Sequence, residues 1–190
     1  HETARAVALQ NLDALVPARY DYILTLCASC GSHLKENMPR LCTGADSPGV
    51  KLRQFTDKVV DFSSFMVNIL RVRAEMFRPT GTKVAYHAPC HLCRGLKVTR
   101  EPRELLATAG MNYLPAEDEE VCCGFGGSYS IDFPELSAAL LQRKLARAEA
   151  TGADFLATDC PGCVLQLRGG MDRKSGRRIM VKHLVELLEP

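Results

Sequence analysis

The chain has 190 residues, 46% of them apolar and 24% charged, and its 24 Lys and Arg against 22 Asp and Glu leave a formal charge of +2. So even a balance offers neither a basic stripe for a phosphate backbone nor an acidic tail, and no nucleic-acid partner is expected. The longest strongly apolar runs, at 22–27 and 138–141, fall far short of the roughly 20 residues a bilayer-crossing helix needs, so no transmembrane segment and no signal peptide are expected.

In chain order, apolar residues at three- and four-residue steps predict a helix over 3–15. A β-rich run at 22–26 predicts a strand that leads into Cys27-Ala-Ser-Cys30. A loop at about 40–50, rich in Pro, Gly, Asp and Ser, carries Cys42, read as a free thiol. Residues 60–70 read as a strand passing into a helix, and Arg78-Pro-Thr-Gly-Thr82 punctuates a helix end. Further strands are predicted at 83–87, 112–114, 155–158 and 179–181, with a helix over 133–151. In that helix Ala138, Leu141, Leu145 and Ala148 share one side, and Arg143, Lys144 and Arg147 read as a solvated face. His183, after the last strand, reads as structural. Strands alternating with helices indicate an α/β fold of Rossmann-like units, with mainly parallel sheets covered on both faces.

The chain repeats itself. At an offset of 133, Tyr22-Ile-Leu-Thr-Leu-Cys-Ala-Ser-Cys30 falls in register with Phe155-Leu-Ala-Thr-Asp-Cys-Pro-Gly-Cys163, and similar segments flank each copy. The same offset puts the first copy's counterpart of Cys122-Cys123 upstream of His1. The expected organisation is therefore residues 1–78 as the C-terminal part of a first, truncated unit and residues 79–190 as a complete second unit, with an N-terminal region of the same chain missing.

Nine cysteines, at 27, 30, 42, 90, 93, 122, 123, 160 and 163, are odd in number and clustered, which suits metal ligation in a reducing compartment better than a disulfide framework. Three groups follow the carboxyl ends of predicted strands, the edge where parallel sheets bind ligands. Adjacent cysteines point to opposite faces of an extended strand. Cys122 and Cys123 reach one site only if the backbone bends, and Gly124, Gly126 and Gly127 permit the bend and a close approach to inorganic sulfur. Two neighbouring thiolates would be cramped on one zinc, whereas a wider cluster offers each a different iron. Five thiolates exceed the four corners of a cubane, so either one is a spectator or one sulfur bridges two irons. Cys93 is an alternative ligand or a buried thiol. His87 and His91, flanking Cys90, are metal ligands, donors to cluster sulfur, or strand-end histidines satisfied by backbone. Ser128, Tyr129 and Asp132 are the polar groups expected to face a partner or substrate. Gly124-x-Gly-Gly is not the dinucleotide-binding spacing, so no nucleotide or flavin site is expected.

The pattern Cys90-x31-Cys122-Cys123-x36-Cys160-x-x-Cys163 resembles the cysteine-rich CCG domain, usually found in tandem in the cysteine-rich subunit of heterodisulfide reductase and in the iron–sulfur subunits of lactate and glycolate oxidation complexes. The segments at 59–67, 86–92 and 121–137 resemble the lactate-utilisation branch. The resemblance implies that Cys90, Cys122, Cys123, Cys160 and Cys163 hold a four-iron (4Fe-4S) cluster of noncubane type, and that Cys27 and Cys30 complete a first site only with the missing upstream part. It implies a non-catalytic redox subunit of a 2-hydroxyacid oxidation complex, cytoplasmic or peripheral at the inner face of the membrane through other redox subunits. The alternatives are a heterodisulfide reductase-like subunit whose cluster cleaves a disulfide, and a structural zinc module built on Cys90, Cys93, Cys160 and Cys163.

Overall fold

The computed structural model describes residues 2–43, 48–173 and 179–188. The 44–47 part of the loop expected at 40–50 lies outside them. Helix α1 (Glu2–Ala14) leads to strand β1 (Ile23–Thr25). The chain continues through α2 (Ala28–Ser32), a π-helical turn (His33–Asn37), α3 (Met38–Leu41) and α4 (Gly49–Lys58) to β2 (Val59–Asp61). Next come α5 (Phe62–Ser64), a second π turn (Phe65–Ile69) and β3 (Lys83–Tyr86). After a third π turn (His91–Gly95) follow α6 (Glu101–Thr108), β4 (Asn112–Tyr113), α7 (Tyr129–Asp132) and the long α8 (Pro134–Ala150). The series closes with β5 (Phe155–Thr158), α9 (Pro161–Asp172), β6 (Met180–His183) and a 3-10 turn (Leu184–Leu187).

All strand pairings among these residues are parallel. β1 pairs with β2 in a two-stranded sheet, and the second sheet runs β4-β3-β5-β6. The α/β expectation is met, with helices on both faces of the second sheet. Alternate strand residues divide between its faces. Ala85, Leu156 and Val181 join Leu141, Leu145 and Leu167 of α8 and α9 in one core. Val84, Tyr86 and Ala157 join Leu105 and Leu106 of α6 in another, onto which Phe62, Met66 and Phe77 also pack. A third core, of Ala8, Leu12, Met38, Leu52, Phe55 and Val59, sits against the first sheet. The two copies of the repeat share one order: strand, cysteine, helix, strand. α8 and α9 approach closely at Gly170, where a Cβ would lie 2.7 Å from Leu145 and 2.8 Å from Leu141.

Two details differ from the sequence reading of α8. Ala138 is exposed, and its place on the buried side is taken by Ser137. Lys144, expected on a solvated face, is 3% exposed. It stands three residues after Leu141 and four before Ala148, which is the spacing of the buried stripe itself.

Candidate metal centre

The parallel strands deliver their cysteine-bearing loops to one edge. β5 ends at Thr158, and Cys160, in extended backbone (φ −141°, ψ 117°), caps α9 with Pro161 at its first position. Cys27 does the same for α2 (φ −137°, ψ 108°), its Sγ accepting the Cys30 N–H at 3.4 Å. The two caps are joined by backbone, since the Ala28 N–H donates to the Asp159 carbonyl at 3.1 Å. Their thiols touch, and Ser29 Oγ lies 3.2 Å from Cys27 Sγ and 3.8 Å from Cys160 Sγ. Cys27, expected to complete a first site with upstream residues, thus also adjoins the second copy's Cys160. Cys30 is exposed at the rim.

Cys122 and Cys123 follow a loop held by α8 and α6. Lys144 Nζ donates to the Asp118 carbonyl and, at 3.2 Å, to the Glu119 carbonyl. Arg103 pairs with the Glu119 carboxylate at 2.8 Å, and Arg147 with Glu117 at 2.5 Å. After the pair the chain turns sharply. Gly124 has φ +88°, and a Cβ there would lie 2.6 Å from the Ser137 carbonyl oxygen, so only glycine fits. Its N–H donates to Cys122 Sγ at 3.3 Å, and its carbonyl accepts the Ser137 hydroxyl at 2.8 Å. Gly126 (φ +53°) and Gly127 (φ +63°) continue the turn. The Phe125 ring lies flush on Gly162, where a Cβ would meet it at 2.9 Å. The bend expected from the glycines is therefore present.

The thiols form a row of successive contacts, Cys90 to Cys122 to Cys123 to Cys163 to Cys160 to Cys27. All nine cysteines are unpaired. Two thiols of the row, Cys122 and Cys160, are shifted down and their neighbours up. Cys122 is drawn down to about 2 by thiols donated from Cys123 and Cys90, and Cys160 falls well below the usual thiol range through Cys163 and Cys27. The donors move the other way: Cys123 rises to about 11 through its contact with Cys122. Cys90 is raised by Cys122, Cys163 by Cys123 and Cys160, and Cys27 by Cys160, burial adding to each. Such a row of soft donors suits iron, zinc or copper(I) and not a hard cation.

His87 closes the site. Its backbone N–H donates to the Ala157 carbonyl at 2.8 Å, but its fully buried ring has no hydrogen-bond partner at either nitrogen, so the backbone-satisfied alternative fails for the side chain. A ring nitrogen, Cys123 Sγ and Cys163 Sγ lie within 4.8 Å of one another. Burial lowers the imidazole's pKa to about 3, keeping it neutral. A buried, neutral, unpaired imidazole beside thiols fits a site built for an inorganic group. His91 is exposed at the start of its π turn. Cys93 packs on the other face of the sheet, against the core of Tyr86 and Leu105, with Glu120, Arg103 and Glu119 as its charged neighbours. Cys42 is buried in the third core, against the first sheet. His183 is structural, as expected: Nδ1 accepts the Val185 N–H at 3.3 Å, and Nε2–H donates to the Leu26 carbonyl at 2.8 Å. Ser128 and Asp132 are exposed beyond the glycine turn, and Tyr129 stacks on Phe133 at 5.3 Å.

Sequence reasoning missed a polar cluster directly behind Cys160. Tyr86 OH donates to Asp159 Oδ2 at 2.6 Å and Ser63 Oγ to Asp159 Oδ1 at 3.0 Å, all three residues being buried. It missed Lys144 as well, although the three- and four-residue steps that place Leu141, Leu145 and Ala148 together include it.

Known proteins share this arrangement in sequence. The model of the cysteine-rich domain family, CCG, matches residues 1–35 and 84–168. Lactate utilization protein A of Shouchella clausii is 32% identical over 99% of this chain and 77% of its own length. A fumarate reductase (CoM/CoB) subunit of Methanothermobacter marburgensis is 33% identical over 90% of this chain. An uncharacterized iron–sulfur protein of Methanococcus maripaludis is 32% identical over the same share. The chain spans only 32% of each of these last two. Cysteine caps at strand ends, a glycine-turned vicinal pair and two matched stretches together make this chain a member of the CCG cysteine-rich domain family.

Proposed function

We propose that this chain is an iron–sulfur electron-transfer subunit of a 2-hydroxyacid oxidation complex acting on L-lactate or glycolate, with Cys90, Cys122, Cys123, Cys160 and Cys163 as the thiolates of its centre. The observation that carries the reading is the unbroken row of thiol contacts drawn from three separate loops, beside a buried imidazole without a partner. A four-iron cluster bound there would accept electrons singly from a flavin-bearing partner and pass them toward a respiratory chain. The protein's own part is positional. The α9 N-terminus at Cys160 favours negative charge on sulfur, the Gly124 N–H steadies Cys122, and Lys144 holds the loop that presents the vicinal pair. The names and identities of the lactate utilization relatives support the substrate class. Among the described residues no helix is long and apolar enough to cross a membrane; we place the subunit in the cytoplasm, reaching the membrane only through its partners. We also place the division between the two units at 78–79, with residues 62–77 of the first packed onto the second.

A heterodisulfide reductase-like activity is the second reading, favoured by the likeness to the fumarate reductase (CoM/CoB) subunit. Anaerobic reconstitution of the full-length protein, with iron, sulfide and zinc analysis and an assay for reduction of a CoM–CoB-type disulfide, tests both. Bound iron with sulfide and no disulfide reduction is the expected result. Disulfide turnover would favour the second reading, and a colourless protein with one stoichiometric zinc and no sulfide would overturn the cluster.

A further inference from the structure

The buried ring of His87 has two polar atoms and no partner for either. Orphaned N–H groups are rarer in folded proteins than orphaned acceptors, because a buried donor without a partner loses its hydration outright. The carbonyl bordering the ring is no help, since Glu119 O already accepts the Ala88 N–H at 3.1 Å and Lys144 Nζ at 3.2 Å. Cys123 Sγ and Cys163 Sγ stand within 4.8 Å of a ring nitrogen and of each other, yet neither bonds to it. One ring nitrogen and two sulfurs thus converge without a bond between ring and thiol.

We propose that His87 donates its N–H to a sulfur of the cluster bound at Cys123 and Cys163, and so sets the potential of the centre without ligating metal. This rests on the cluster reading above. Ligation is the weaker choice because a metal-bound histidine almost always passes its second N–H to an oxygen, and the carbonyl bordering this ring, that of Glu119, already accepts two other donors. Five thiolates also already exceed what four irons need as terminal ligands. As a donor, the ring satisfies its costlier orphan and leaves only an acceptor unpaired. A hydrogen bond to cluster sulfur favours the reduced, more negative state and raises the potential.

The test uses the full-length protein, anaerobically loaded with iron and sulfide, as wild type, His87→Phe and His87→Gln. Redox titration followed by EPR is combined with pulsed EPR on protein carrying 15N-histidine in light and heavy water. The expected result is unchanged iron and sulfide in His87→Phe, a shift to lower potential, and loss of a weak 15N coupling and of an exchangeable-proton coupling present in the wild type. His87→Gln, which keeps an N–H donor, should recover part of the shift; it and the wild-type spectra decide the matter if the phenylalanine variant does not fold. A strong 15N coupling with iron lost from the variants would overturn the proposal in favour of ligation. Unchanged potential with no histidine coupling would overturn it in favour of a packing role. A wild-type protein that takes up metal without sulfide would overturn the cluster reading too, and is told apart by its own sulfide content.

Discussion

Cys27 and Cys160 stand 133 positions apart in the chain and in thiol contact in the fold. They are equivalent positions of the repeat, each ending a strand and capping a helix. Their roles toward the proposed centre nevertheless differ, because Cys160 also touches Cys163 and Cys27 lies at the end of the row. Cys160→Ala is expected to lose most of its iron and sulfide on reconstitution. Cys27→Ala is expected to retain both at the wild-type ratio, and equal losses in the two variants would show that Cys27 is a ligand.

Gly124→Ala tests the bend behind the vicinal pair. A non-glycine residue at φ +88° costs about 1–3 kcal/mol, and the added methyl would lie 2.6 Å from the Ser137 carbonyl oxygen. A fall in stability of at least that size in urea unfolding is expected, accompanied by reduced iron uptake.

Lys144→Met keeps the length of the side chain and removes its charge and donor. The Asp118 and Glu119 carbonyls then lose this charged donor but keep the N–H groups of Val121 and Ala88, so the cost is that of hydrogen bonding to a charged group, about 1.5–3 kcal/mol. The vicinal pair also loses the buried cation whose field acts on both its sulfurs. Lower stability and a more negative midpoint potential are expected; a stability loss with an unmoved potential would restrict Lys144 to holding the loop.

Asp159 makes stability depend on pH in an unusual sense. Burial pushes its carboxyl up to about 6, against the restraining hydrogen bonds from Tyr86 and Ser63. The folded state therefore binds a proton more tightly than the unfolded one, whose carboxyl titrates near 3.9. This group's contribution grows more favourable as pH falls from about 6 toward about 4, by up to about 3 kcal/mol at 1.36 kcal/mol per unit. Urea unfolding of the metal-free protein at pH 7.5 and pH 5 should show that component in the wild type and not in Asp159→Asn. Tyr86→Phe, which removes one restraining bond, should enlarge it.

The strands and the two long helices are legible in the sequence because their signals are local: β-rich runs bounded by turn residues, and apolar steps of three and four. α6 is not anticipated, although Pro102 in its first turn with Glu101 and Glu104 is a usual start signal. That the cysteine groups meet at one sheet edge is readable from their places after strand ends, and the Gly124 turn from its place after a vicinal pair. What stays hidden depends on contacts between distant segments. Nothing near Asp159 foretells Tyr86 and Ser63 as its partners, and nothing near Cys27 foretells Cys160 as a neighbour. Sequence alone leaves His87 open between bonded and unbonded roles, a choice that turns on whether a carbonyl elsewhere has a lone pair to spare.

The bond from the Ala28 amide to the Asp159 carbonyl fixes more than two helix starts. It belongs to the main chain, so it sets the spacing of the two capping backbones, while each sulfur is placed by rotation about its own Cα–Cβ bond. The starts of two helices from the two copies of the repeat are thus tied by the peptide framework, and substitutions elsewhere on the surface should leave that tie untouched.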